Sequence, residues 1–307
     1  MNKTTGRLLC LLIALSVVGS GAAYAQDAEE EPLTEVDGWR SHLSTTLQGS
    51  QAHYANWQAG GVNTLAVTLG ADGRFERVRG RFLHRHESRL AYGQIRQDTL
   101  GFRKATDLIR YGYELVTNGD LRWRPTLALT ARTQFTAGFD YDPTPSDYDF
   151  DDPGFVAPLP GQPFKISDFL APGVFTQSIG LGYNTGQGFR TRFGIGLKET
   201  VVAIPRLRLI HGNAADQAVR VELGLDALAD FRRQLTDALE LHSRLTGFYG
   251  LGTLDTPPDM AFENRLILSI APLLNANLEV AMLFDRDVSR RLQVKEVLSV
   301  GLVYTLM

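Results

Sequence analysis

Cysteine is all but missing, the one copy in 307 residues being Cys10. Disulfides, thiol nucleophiles and Cys-ligated zinc are therefore excluded from everything that follows it. Long hydrophobic runs are missing too. The longest strongly apolar stretch covers residues 8–18, well short of the roughly 20 residues a membrane-crossing helix requires. Charge of one sign is not in great excess: 31 Lys and Arg stand against 34 Asp and Glu, a formal net charge of -3. Nucleic acid has little to hold on such a chain. At 44% hydrophobic and 21% charged residues, the sequence is not compositionally disordered and can bury a sizeable core.

What is present begins with an export signal. Lys3 and Arg7 precede the apolar stretch and Ala23-Tyr24-Ala25 follows it, the layout of a cleavable secretory segment over residues 1–25. Removing its two cations and no acid takes the charge from -3 to -5. Cys10 lies inside the apolar core of that segment, poorly placed for lipid modification. An exported chain without disulfides points to a bacterial envelope. Residues 26–37 are acidic and aperiodic, a flexible N-terminal segment, and 38–307 read as one domain.

From Trp39 the pattern is strict alternation, the mark of strands. Leu127, Leu129, Ala131, Phe135, Ala137 and Phe139 share one face, whereas Thr126, Thr130, Arg132, Gln134 and Thr136 share the other. The same alternation predicts about 12 strands, near 39–51, 63–71, 74–92, 102–117, 123–139, 174–184, 188–201, 218–231, 235–249, 260–271, 274–285 and 292–306. Most exceed the five or six residues usual in soluble strands and suit a tilted bilayer crossing. Short connections (Ala71-Asp72-Gly73, Asn118-Gly119-Asp120, Thr185-Gly186-Gln187, 232–234, Pro272-Leu273) alternate with longer ones. Such one-sided turns and an even strand count indicate an all-β, transmembrane, antiparallel up-and-down β-barrel in the bacterial outer membrane. Trp39, Trp123, Tyr141, Tyr183, Phe189, Tyr249, Phe284 and Tyr304 fall near strand ends, as interfacial girdles do. A soluble periplasmic β-barrel binding protein is the alternative, and it would turn the apolar phase inward. The final strand alternates large apolar residues up to Leu306-Met307, like the closing strand that barrels present to the insertion machinery, although such strands usually finish on Phe or Trp.

Four segments, Asn56-Trp57-Gln58-Ala59-Gly60-Gly61-Val62-Asn63, Arg103-Lys104-Ala105-Thr106-Asp107, Ile166-Ser167-Asp168-Phe169-Leu170-Ala171-Pro172-Gly173 and Leu292-Gln293-Val294-Lys295-Glu296-Val297-Leu298-Ser299-Val300-Gly301, occur in an order that resembles a Bacteroidota-type outer-membrane barrel family, domain of unknown function 3078. The resemblance implies an outer-membrane barrel and supplies no activity.

Charged residues occupy the phase opposite the apolar one. Arg85, Glu87, Arg89, Arg132, Arg190, Arg192, Arg220, Glu222, Glu240 and Arg244 would each be costly facing lipid, about 2 to 4 kcal/mol for an Arg at the midplane, so they are expected to line the lumen. There they either pair and fill the interior or line a narrow, charge-selective channel. Glycines 180, 182, 194, 196 and 224 would leave room for a pore beside Arg190 and Arg192. Two polar residues on the lipid side, His86 and Ser88, are the candidates for an acyl-ester hydrolase near the outer rim. The connection expected at 140–173 is acidic, but Asp152 and Pro158 stand where a calcium loop needs Gly and Glu, so no EF-hand forms; the segment could instead fold into the lumen. Trp57, Gly60, Gly61 and Asn63 suit a tight first surface loop with an aromatic anchor. No cofactor or metal motif is found. The implied partners are outer-membrane lipid and the insertion machinery, with a small solute or surface partner left open.

Overall fold

The computed structural model describes residues 38–306 apart from 54–61, 99, 120, 145–147, 149, 151, 153–154, 253–256 and 287–290. The export signal, the acidic segment and Trp57, Gly60 and Gly61 lie outside the described residues. Among those described the strands are β1 (Arg40–Ala52), β2 (Thr64–Arg79), β3 (Phe82–Gln97), β4 (Arg103–Thr117), β5 (Arg124–Thr133), β6 (Gly138–Asp140), β7 (Phe164–Ser167), β8 (Gly173–Asn184), β9 (Phe189–Val201), β10 (Val219–Thr236), β11 (Leu239–Gly250), β12 (Asp259–Ala271), β13 (Leu274–Phe284) and β14 (Gln293–Thr305). Twelve close an antiparallel barrel in the order β1-β14-β13-β12-β11-β10-β9-β8-β5-β4-β3-β2, and β6 pairs with β7 apart from it. The seam joins the chain ends, from Ser44 opposite Thr305 to Gly49 opposite Val300.

Alternation explains why the sheet closes around its charges. In β10, Val221, Leu223 and Leu225 are exposed while Gly224 and Asp226 in the opposite phase are buried. In β9, Phe193, Ile195 and Leu197 are exposed while Arg192 and Lys198 are buried. Ile179 and Leu298 are 69% and 68% exposed, whereas Arg85 is 5% exposed. A soluble barrel or sandwich would show the reverse. An outward face of Leu, Ile, Val and Phe over this many strands is a surface solvated by lipid. Outward-pointing Arg77, Arg79 and Arg233 stand near the tight turns, where headgroups would meet them. Trp39 and Tyr304 are exposed at that same end, and Trp123 meets Tyr183 at 5.3 Å.

Three strand boundaries differ from those read in the sequence. Ala71-Asp72-Gly73 is no turn: β2 runs through it, and the chain reverses at Gly80, whose φ is +55°. Asp72 turns inward to Arg265, and alternation from Leu69 through Phe75 is unbroken. Residues 232–234 likewise stay in β10, which turns at 237–238 after a bulge between Gln234 and Thr236. In the opposite direction, the strand expected to reach Phe139 stops at Thr133. Asp107 accepts the backbone N–H groups of Phe135 (2.7 Å) and Thr136 (3.0 Å) and draws the chain off the sheet. The long connection is thus 134–172, not 140–173.

Connections 134–172 and 202–218 share a small apolar core of their own. Ala171, Val202, Leu207 and Ile210 are buried, with Tyr148, Phe150, Phe155 and Phe164 packed on them. The His211 Nε2–H donates to the carbonyl of Ile166 at 3.0 Å and ties the two connections together. Burial pushes the His211 pKa below its ordinary value, so the ring is neutral at neutral pH.

The outward assignment yields a test. Ile195→Arg, at the middle of β9, should destabilise the barrel by about 2 to 4 kcal/mol when unfolding is followed in lipid vesicles. A change within about 0.5 kcal/mol, the value for an ordinary surface substitution, would mean that this face meets water.

Candidate functional site: the charged lumen

A cavity of about 580 Å³ occupies the lumen, lined by residues from all twelve barrel strands. Of the expected lumenal residues, Arg85, Glu87, Arg89, Arg132, Arg190, Arg192, Arg220, Glu240 and Arg244 border it. Glu222 lies on the same face of β10, 2.9 Å from Lys198. From the long connection only Pro172 reaches the cavity among the described residues, joined by His211 from 202–218. Among the described residues the rest of the connection takes no part in the lining.

What fills the lumen is a set of ion pairs in two larger groups and a smaller one toward the long connections, where Lys198 holds Glu222 and Asp259 at 2.9 and 2.6 Å and Arg220 reaches Glu222 at 3.3 Å. Nearer the tight turns, Glu76 holds Arg74 and Arg85 at 2.8 and 2.7 Å. Glu114 receives Arg85, Arg190 and Arg192 at 3.0, 3.0 and 2.9 Å. Glu87 receives Arg190 at 2.9 Å and Arg244 at 2.6 Å. Asp226 and Asp230 complete Arg192 and Arg244 at 2.8 and 2.6 Å. The arginines Arg74, Arg85, Arg190, Arg192 and Arg244 are thus matched by the carboxylates Glu76, Glu87, Glu114, Asp226 and Asp230, and this group is neutral.

The second group lies around the middle of the lumen. Arg110 reaches Glu263 at 2.8 Å and Arg89 reaches Glu279 at 2.6 Å. Arg265 reaches Asp72 at 3.3 Å, and Lys295 reaches Glu279 at 3.6 Å. His242 joins the groups, its Nδ1 accepting from Arg265 at 2.9 Å while Nε2 faces Asp230 at 3.3 Å. Two pairs cross a full diameter: β11 and β3, which carry Arg244 and Glu87, are six places apart in the ring of twelve, as are β12 and β4, which carry Glu263 and Arg110. Only side chains as long as Arg and Glu can meet across that span.

Several expectations are corrected here. The inward glycines open no pore beside Arg190 and Arg192. A Cβ on Gly180 would come within 2.0 Å of the Phe193 carbonyl oxygen, and one on Gly224 would meet the Phe248 ring at 2.4 Å. These positions serve close approach and ring packing, and Lys198 sits 4.9 Å from the centre of that ring. His86 and Ser88 do share the lipid face, yet they form no dyad. His86 Nδ1 is paired with the Tyr111 hydroxyl at 2.7 Å, and its ring packs against Trp39 and Tyr113. Strand β3 starts at the tight turn, so the pair belongs to the aromatic belt of that end rather than to the outer rim. Asn63 offers its carbonyl to the Asp98 N–H at 2.6 Å, bracing the first long connection on the second. Lys198, Glu263 and Glu279 are central here. They share the inward phase of the expected set, and alternation alone does not give their partners across the lumen.

Removing one carboxylate from three arginines should cost far more than loosening an open pair. Glu114→Gln is expected to lower stability by about 3 to 5 kcal/mol, because buried guanidinium groups lose their counter-charge. Glu240→Gln, whose partner Arg232 is 40% exposed, should cost no more than about 1 kcal/mol. Equal effects in urea unfolding would contradict this difference.

The barrel can be compared with solved structures. The translocator domain of autotransporter NalP from Neisseria meningitidis aligns with 97% of this chain and 94% of its own at 10% identity and TM-score 0.34. The NanC porin aligns with 87% and 100% at 9% and 0.38. An outer membrane channel from Pseudomonas putida F1 aligns with 86% and 94% at 9% and 0.36. No curated protein matches the sequence. A family model described as "Protein of unknown function (DUF3078)" matches residues 50–139, taking in the first two of the four resembling segments. The match runs from the end of β1 to β6, less than half of the chain.

Proposed function

We propose that the protein is an outer-membrane barrel with its tight turns toward the periplasm, whose lumen is partitioned by ion pairs and does not conduct at rest. It acts as a closed envelope barrel with a polar chamber beneath its surface connections. The observation that carries this is Glu87, held at once by Arg190 and by Arg244 from the opposite wall. Each crossing pair removes lumen width, and the cavity that is left is the size of a small-molecule pocket rather than of a porin's aqueous channel. The alternative of a narrow, charge-selective channel requires those pairs to part. Among the described residues His86 and Ser88 form no dyad that would support hydrolase chemistry.

Planar-bilayer recording of the refolded chain tests the proposal. The wild-type barrel should be silent at moderate voltage, and the double variant Glu87→Ala with Arg244→Ala should give stable conductance steps. Steps of equal size from both would contradict a closed lumen. Heat-modifiable migration of each protein on a gel establishes that the barrel has folded.

A further inference from the structure

Register places three arginines side by side on the inward face. Arg89 on β3 is directly opposite Arg110 on β4, and Arg110 is directly opposite Arg132 on β5. Like charges in direct cross-strand register repel one another, so the row needs anions. Arg89 and Arg110 have them in Glu279 and Glu263. Arg132 makes no hydrogen bond or ion pair of its own among the described residues and only shares the field of Glu263 with Arg110 and Arg89; it is exposed and borders the cavity. Together with Arg265 and Lys295, the row sets five cations against the three carboxylates Asp72, Glu263 and Glu279, a surplus of two positive charges. The group nearer the tight turns has no such surplus. Toward the long connections Lys198 and Arg220 are matched by Glu222 and Asp259, so the surplus belongs to this row and its partners.

The geometry points to an oxyanion-binding site in the outer half of the lumen, at the Arg132 end of this row, for a small solute bearing carboxylate or phosphate groups. A guanidinium presents paired N–H donors that match two oxygens of one such group. Thr130, the next inward residue on β5, is exposed to the same cavity and adds a hydroxyl. The available volume of about 580 Å³ is that of a small-molecule site. A bound dianion would cancel the surplus and relieve the repulsion along the row. This site does not depend on whether the partition conducts.

The test is isothermal titration of the refolded barrel in detergent at low ionic strength with inorganic phosphate and with succinate, chloride serving as the control anion. Phosphate or succinate should bind, with affinity falling about tenfold or more in Arg132→Gln. Arg132→Lys should retain part of it, and Arg233→Gln on the lipid face should leave it unchanged. Whichever of the two probes binds more tightly identifies the oxyanion class. Binding no tighter than chloride, or equal losses in Arg132→Gln and Arg233→Gln, overturns the site. Because gel migration reports folding and conductance is read separately, a barrel that conducts yet binds phosphate defeats the closed-lumen proposal alone. A silent barrel that binds neither probe defeats only this one.

Discussion

Everything in this barrel follows from burying charge on one side of a sheet whose other side is apolar. A strand's side chains alternate between faces with period two, so no residue can escape its face without a bulge. Once Leu223 and Leu225 are committed to lipid, Asp226 and Asp230 are committed to the lumen. Away from bulk solvent an unpaired carboxylate or guanidinium is costly, and the sequence answers with shared carboxylates, Glu76 and Glu87 each serving two arginines and Glu114 three. The lumen is therefore built from the strands themselves.

This arrangement differs from a soluble protein's core in what it specifies. Apolar packing tolerates small shifts, whereas a pair such as Arg244 with Glu87 forms only when β11 and β3 stand opposite each other at the right height. The network thereby constrains strand number and stagger as well as stability. It also leaves a residue of unbalanced charge. Pairing near the tight turns is balanced, whereas the row from Arg89 to Arg132 carries more cations than the carboxylates it meets.

Most of the fold was legible in the sequence because it depends on period and parity. Strand number, the lipid face and the inward set from Arg85 to Arg244 could all be read from alternation. The readings that failed leaned on local turn chemistry. Asp72-Gly73 has the composition of a hairpin, yet the unbroken alternation from Leu69 to Phe75 was the stronger signal and placed the reversal at Gly80. Conversely, alternation ran on to Phe139 although Asp107, far away in sequence, captures the N–H groups that would have continued the strand. The inward glycines were read as space when their neighbours, visible only in three dimensions, had already taken it. Cross-lumen partners are hidden for the same reason: Glu87 and Arg244 are 157 residues apart, and no periodicity links them.

The central claim is that pairs across the lumen, rather than pairs along one wall, hold the interior closed. A double-mutant cycle between Glu87 and Arg244, read by reversible unfolding in lipid vesicles, tests it most directly. A coupling of about 2 kcal/mol is expected for a sheltered pair that meets across the diameter. A coupling near zero would show that the two side chains act independently and that the lumen is not partitioned where the structure places the partition.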